Sequence, residues 1–202
     1  DLPALTSLGA YLSVNINDAL TSFDLSALTQ AGGLFLDYNI ALTSFDLPAL
    51  ASVGGYLYVI ENGALISFDL SALASVDGSL VVQGNGALTS FDLSALASVD
   101  GSLVVQSNPA LSSFGLPAFA SVDGSLFVKG NNTLTSFDLS ALTTVDGGLY
   151  VHNNIALAQC LVDALVAQIQ EGLGIGGSID SYSNNDSCTC SEVDGVLVAD
   201  CP

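Results

Sequence analysis

The string SFDLSALASVDGSLVVQ stands at residues 67–83 and returns unchanged at 90–106. It is the clearest copy of a unit that runs through most of the chain. The phenylalanines of the SF pairs fall at Phe23, Phe45, Phe68, Phe91, Phe114 and Phe137, with gaps of 22, 23, 23, 23 and 23. A constant period of this length marks a solenoid, in which each repeat is one coil stacked on the next. Counting a partial first coil, about seven coils run from Asp1 to Ile155.

Each column of the repeat has a physical role. Phe68, Leu70, Leu73 and Val76 recur as apolar positions in nearly every coil and should fill the interior. Leu80 and Val82 alternate with Val81, the period-two signature of a strand with one buried face. Stacked coils then form a parallel sheet. After each strand comes an asparagine: Asn17, Asn39, Asn62, Asn85, Asn108, Asn131 and Asn154. A side-chain amide turned into the bend can satisfy backbone groups left free at the corner, and stacked copies can bond to one another. At a second corner, FDLSAL predicts the first turn of a short helix capped by Asp46 or its equivalents, with Pro3, Pro48 and Pro117 replacing the serine. In VDGSL, Asp-Gly predicts a tight turn into the strand.

The pattern LxVxxNxxLxxFxLxxLxxVxGxL resembles the repeat of receptor L domains, and LVVQGNGAL at 80–88 is also similar to leucine-rich repeats. The resemblance covers roughly residues 1–157. It implies a mainly β, right-handed, single-stranded parallel solenoid with an asparagine corner. It also implies a non-enzymatic recognition module that uses the long sheet as its contact face. Cysteines are missing from the N-terminal end, where many members of that family carry a cap. Asp1 enters in mid-repeat, so either the sequence is a fragment or another element covers the first coil. No basic, apolar leader precedes it, as expected if a signal peptide has been removed or lies outside this sequence.

Residues 158–202 read as a helix plus a cysteine-rich cap of the same structural unit. Cys160 takes the column position of the phenylalanines, and CLVDALVAQIQ switches to helical spacing with Leu161, Leu165 and Ile169 on one stripe. EGLGIGG ends the helix, and SIDSYSNNDSC reads as one more degenerate strand and corner. Cys188 and Cys190 are too close to pair comfortably, so Cys160 bonds to one of them and Cys201 to the other. Two disulfides point to an oxidising compartment, hence to an extracellular or cell-surface protein. A zinc site is disfavoured by the short CTC spacing and by His152 being the only histidine.

Charge narrows the partners. Lys129 is the only Lys or Arg against 20 Asp and Glu, for a formal charge of −19. Such a chain cannot neutralise a row of phosphates, which excludes nucleic acid and an anionic membrane surface. No apolar run approaches a membrane span. The acidic column Asp1, Asp24, Asp46, Asp69, Asp92 and Asp138 reads as corner capping and solubility. The column Asp77, Asp100, Asp123 and Asp146 reads the same way, with calcium bridging between coils as its functional alternative and no other cofactor implied. Catalysis fits poorly, because a triad would rest on His152 alone and the uniform repeat leaves no cleft. Asn131-Asn132-Thr133 and Asn185-Asp186-Ser187 match the glycosylation sequon.

The outward strand positions remain. The column of Val81 reads Ser13, Phe35, Tyr58, Val81, Val104, Phe127 and Tyr150, apolar or aromatic in six coils of seven. Beside it run Tyr11, Tyr56, Ser79, Ser102, Ser125 and Gly148 on one side, and Asn15, Asp37, Ile60, Gln83, Gln106, Lys129 and His152 on the other. A contiguous apolar strip on a flat face usually meets a partner. The expected contact residues are Phe35, Tyr56, Tyr58, Val81, Val104, Phe127 and Tyr150, and the expected partner is a protein, a glycan or a second copy. Two alternatives accompany this reading. One is an ice-binding solenoid using the Thr21, Thr43, Thr89 and Thr135 column or the Ser79/Val81 face; the other is a self-assembling fibre or surface-layer subunit.

Overall fold

A computed structural model describes residues 2–193 and 196–201. Asp1, the first member of the first acidic column, lies outside the described residues. The chain forms a parallel β-solenoid of about six turns. Its long strands are Ser7–Asn15, Gln30–Asp37, Leu57–Ile60, Leu80–Gln83, Leu103–Gln106, Leu126–Lys129 and Leu149–His152. They pair in parallel and in register, so that Leu12, Leu34, Leu57, Leu80, Leu103, Leu126 and Leu149 form one row. Two narrower strips follow the other sides of the coil, one of two-residue strands such as Ser75–Val76 and one of three-residue strands such as Ser67–Asp69.

The alternation is as the sequence predicts. In Leu80–Gln83 and its neighbours, burial alternates inward and outward along every strand. Leu80, Val82, Leu70, Leu73 and Val76 are fully buried. The phenylalanines stack along the axis, with Phe45, Phe68 and Phe91 nearly coplanar in orientation at centroid spacings of 5.0 and 5.2 Å.

The asparagines form a continuous internal ladder. Oδ1 of Asn85 accepts the backbone N–H of Asn62 at 3.0 Å and its Nδ2 at 3.3 Å. Nδ2 of Asn85 donates back to the carbonyl of Val59 at 2.9 Å and forward to Oδ1 of Asn108. The same pattern runs from Asn39 to Asn154 in buried surroundings, and Asn17 joins it as an exposed first rung. Asn131 is therefore unavailable as a glycosylation acceptor, because its amide is buried and bonded to Val105 and Asn154. In the second sequon, Oδ1 of Asn185 accepts from the N–H and the hydroxyl of Ser187.

Immediately before each asparagine the backbone enters the left-handed region, at Ile16, Tyr38, Glu61, Gly84, Ser107, Gly130 and Asn153. The sequence pattern does not announce this column, because glycine fills only two of its seven places. Isoleucine and tyrosine there are strained and are held by the corner bonds around them. At Gly130, with φ +67°, valine is expected to cost about 1–2 kcal/mol from backbone strain alone. Urea denaturation of Gly130→Val, compared with Gly115→Val at a place where φ is not positive, checks it.

The other two corners differ from expectation. FDLSAL makes a β-turn rather than a helical turn: Leu73 N–H donates to the Leu70 carbonyl at 2.9 Å, and the next amide, Ala74, is taken by Ala51 of the preceding coil. A helix cannot propagate when its next donor is already used in the ladder. Asp69 still caps, accepting the Ser71 N–H at 2.8 Å, and Asp24, Asp92 and Asp138 repeat the bond. Pro48 has no amide to give Asp46. VDGSL is a bend rather than a tight turn, since Asp100 and Gly101 both donate to the coil before. Glycine is needed at 101 because a Cβ would come within 2.6 Å of the Ser79 backbone nitrogen.

Helix α1, Gln159–Glu171, replaces one side of the next coil. It buries Val162, Leu165 and Ile169, while Leu161, expected on that stripe, is half-buried. Gln168 donates to the carbonyls of Leu139 and Leu142 and so satisfies the last turn beneath it. The chain then returns to the solenoid, which the sequence pattern did not reveal in full: Gly174–Ile175 pairs with Thr144–Val145, and Ile179–Asp180 with Leu149–Tyr150. Asn184 adds a final rung to the ladder, and Gln159 closes it by accepting the Asn184 amide at 3.0 Å. An antiparallel hairpin, Thr189–Val193 with Val196–Asp200, follows. The disulfides are Cys160–Cys190 and Cys188–Cys201, which resolves the pairing and agrees with an oxidising environment. Among the described residues no helix is long and apolar enough to cross a membrane.

Candidate functional site

The outward face of the long strands is where the repeat departs most from what folding requires. Phe35, Tyr58, Val81, Val104, Phe127 and Tyr150 share one row, and every one is half-buried rather than exposed. In a parallel in-register sheet each side chain is covered on both flanks by its equivalents one strand away, about 4.8 Å distant. Phe127 and Tyr150 stack face to face at 4.6 Å, so they present ring edges rather than faces.

The rings gather in two groups. At the N-terminal end Tyr11, Phe35, Tyr58 and Tyr56 are in chain contact, with Tyr11–Phe35 and Phe35–Tyr58 edge to face at 5.5 and 5.3 Å. At the other end Phe127 and Tyr150 form a pair, and His152 stacks on Tyr182 at 4.8 Å. The stretch between them carries Val81 and Val104 beside a serine row. There the Ser79 and Ser102 hydroxyls accept the backbone N–H of Ser102 and Ser125, so these side chains are part of the ladder.

Several exposed residues escaped the sequence reading as contact candidates. Tyr11 is 65% exposed, Ile16 74%, Tyr38 53% and Ile40 57%, all in the first coils. Tyr11 was legible as a member of the row beside Val81. Ile16 and Tyr38 were not, because their exposure follows from the left-handed corner.

Asp37 belongs to the same face, two residues beyond Phe35 and opposite Asn15 and Ile60. Its N–H donates to Asn15 Oδ1, while its own Oδ1 is buried and accepts no hydrogen bond. Burial holds its pKa above the ordinary aspartate value. The Tyr58 phenol is also raised, first by burial and then by Tyr56 and Asp37. A carboxyl with a raised folded pKa stays protonated longer in the folded than in the unfolded chain, so its ionisation costs stability as pH rises through the folded value. Asp37→Asn is therefore expected to melt higher than the parent at pH 7, with the gap closing below about pH 4, where both states are neutral. Melting curves at pH 7 and pH 3 test this.

The remaining candidates are dispersed. Asp77, Asp100, Asp123 and Asp146 stand exposed at the VDG corner, one per coil, and among the described residues no three His, Cys, Asp or Glu side chains gather as a cation would need. Lys129 lies beside Phe127, with Nζ 5.7 Å from the ring centre. What fold and face define is a parallel β-solenoid with coils of about 23 residues and an aromatic outer sheet. No protein-family model, curated protein or solved structure matches the chain.

Proposed function

We propose that this solenoid is a non-catalytic recognition or adhesion module, extracellular or at a cell surface, that binds a protein or glycan through the outer face of its long sheet. The observation that carries the reading is the row Phe35, Tyr58, Val81, Val104, Phe127 and Tyr150, with Tyr11 and Tyr56 exposed beside it. Nothing inside the coil requires large apolar side chains there, and such a strip on a protein of charge −19 is costly unless it meets something. The resemblance to receptor L domains and leucine-rich repeats agrees with this use of the sheet. The two disulfides suit an extracellular setting. The threonine column gives the ice-binding alternative little support, because the Thr43, Thr89 and Thr135 hydroxyls donate to carbonyls of the preceding coil.

The test is a variant with Phe35, Tyr58, Phe127 and Tyr150 all changed to Ser, probed on an immobilised oligosaccharide array and a synthetic peptide library. Binding by the parent and its loss in the variant, with unchanged circular dichroism, is the expected result. Binding that survives the four changes would mean that the sheet face is not the contact surface.

A further inference from the structure

The sequence holds two Asn-x-Ser/Thr triplets, and the fold treats their asparagines in opposite ways. Both lie where a coil turns on its ladder asparagine. In Asn131-Asn132-Thr133 the first residue is the ladder asparagine itself, fully buried, with its amide donating to Val105 and Asn154. In the last coil the ladder residue is Asn184, so the triplet Asn185-Asp186-Ser187 begins one place later. That single step takes its asparagine out of the buried row: Asn184 is buried and Asn185 only half-buried.

The backbone of Asn185 is fixed while its amide nitrogen is free. Its N–H donates to the Leu157 carbonyl at 2.7 Å, and its carbonyl accepts from Gln159 at 3.0 Å. The Ser187 N–H and hydroxyl both donate to its Oδ1, at 3.1 and 2.6 Å. Nδ2 takes part in none of these bonds and has no other partner among the described residues. Among those residues only Asp37 Oδ1 is both buried and unpaired, so Nδ2 of Asn185 meets solvent. A group attached to Nδ2 therefore displaces no bond of the fold, because Oδ1 keeps its donors and the backbone keeps its pairing. At Asn131 the nitrogen is enclosed and its donors are already used. The surroundings agree with a modification of secreted proteins. Cys188 follows the triplet directly and is bonded to Cys201, and Cys160–Cys190 ties the same segment to α1, so the region is made in an oxidising compartment.

We propose that Asn185 is an N-linked glycosylation site, the acceptor for an oligosaccharide delivered from a lipid pyrophosphate donor. Nδ2 forms a bond to the anomeric carbon of the first sugar. The bond from that carbon to the pyrophosphate oxygen breaks, the lipid pyrophosphate leaves, and the amide gives up one proton. The glycan is rooted beyond the last rung of the ladder and off the long strands. The site is therefore independent of what the sheet face binds.

The test is secretion of the chain from a cultured animal cell line behind a cleavable leader. Enzymatic release of N-glycans in heavy-oxygen water converts each glycosylated asparagine to labelled aspartate, and peptide mapping reads the positions. Asn185 is expected to be converted in most secreted molecules and Asn131 in none, with both disulfides recovered in the same map. Ser187→Ala should remove the glycan, and Ser187→Thr should keep it because the hydroxyl is retained. Asn185→Gln should remove it by a second route that leaves Ser187 in place. Thr133→Ala, which destroys the other triplet, should change nothing in the glycan. Secreted, disulfide-bonded protein without a glycan at Asn185 would overturn the assignment. A glycan at Asn131 in that material would overturn the argument from burial that separates the two triplets.

Discussion

Asn85→Ala is expected to cost about 3–5 kcal/mol, enough to threaten a fold whose total stability is on the order of 5–15 kcal/mol. The reason is the number of groups that one amide serves. Its oxygen is the acceptor for the backbone N–H of Asn62, and its nitrogen is a donor to the Val59 carbonyl. Both partners are buried where water does not reach, and each costs about 1–3 kcal/mol when left alone. The Asn62 amide and Asn108 Oδ1 also lose a partner. Asn17→Ala provides the contrast, because Asn17 is exposed and its amide donates only to Asn39 and to its own Asn15 carbonyl. That change should cost less than about 1 kcal/mol. Urea denaturation of the two variants measures the difference. Equal losses would mean that the ladder follows the corner rather than holding it.

The same ladder explains why so much of the fold was legible. Residues whose role repeats every coil, such as Leu80, Val82, Phe68 and Asn85, announce themselves by position, since each coil poses the same problem and receives the same side chain. What was hidden falls into three kinds. Backbone conformation was hidden at Ile16 and Tyr38, whose types argue against the left-handed region they occupy. Very short pairing was hidden at Gly174–Ile175, because two residues carry no period. Environment across coils was hidden as well. The row Phe35 to Tyr150 was legible, but its half-buried state depends on neighbours 23 residues away covering each flank. Asp37 belongs to this last kind. In sequence it is one of twenty acidic residues, and only the fold encloses one of its oxygens without a donor.

Phe68→Ala is expected to cost about 3–5 kcal/mol and, more tellingly, to divide the solenoid. Phe68 is only 2% exposed and is held between Phe45 and Phe91, with ring planes 7° and 5° from parallel. Removing it opens a cavity that touches two coil interfaces at once. In a stacked repeat, stability is close to a sum of nearest-neighbour terms, so weakening two adjacent interfaces uncouples the coils on either side. The C-terminal block keeps α1, Gln168 and both disulfides, whereas the N-terminal block has no such cross-links in the described residues. Hydrogen exchange should therefore show residues 2–66 losing protection well before residues 90–170. Phe137→Ala should behave differently. Its ring is half-buried and tilted 36° from Phe114 at the end of the stack, so the loss should be about 1–2 kcal/mol. Uniform loss of protection along the whole chain in Phe68→Ala would show that the coils unfold as one unit, and that the stack contributes burial without governing how the turns couple.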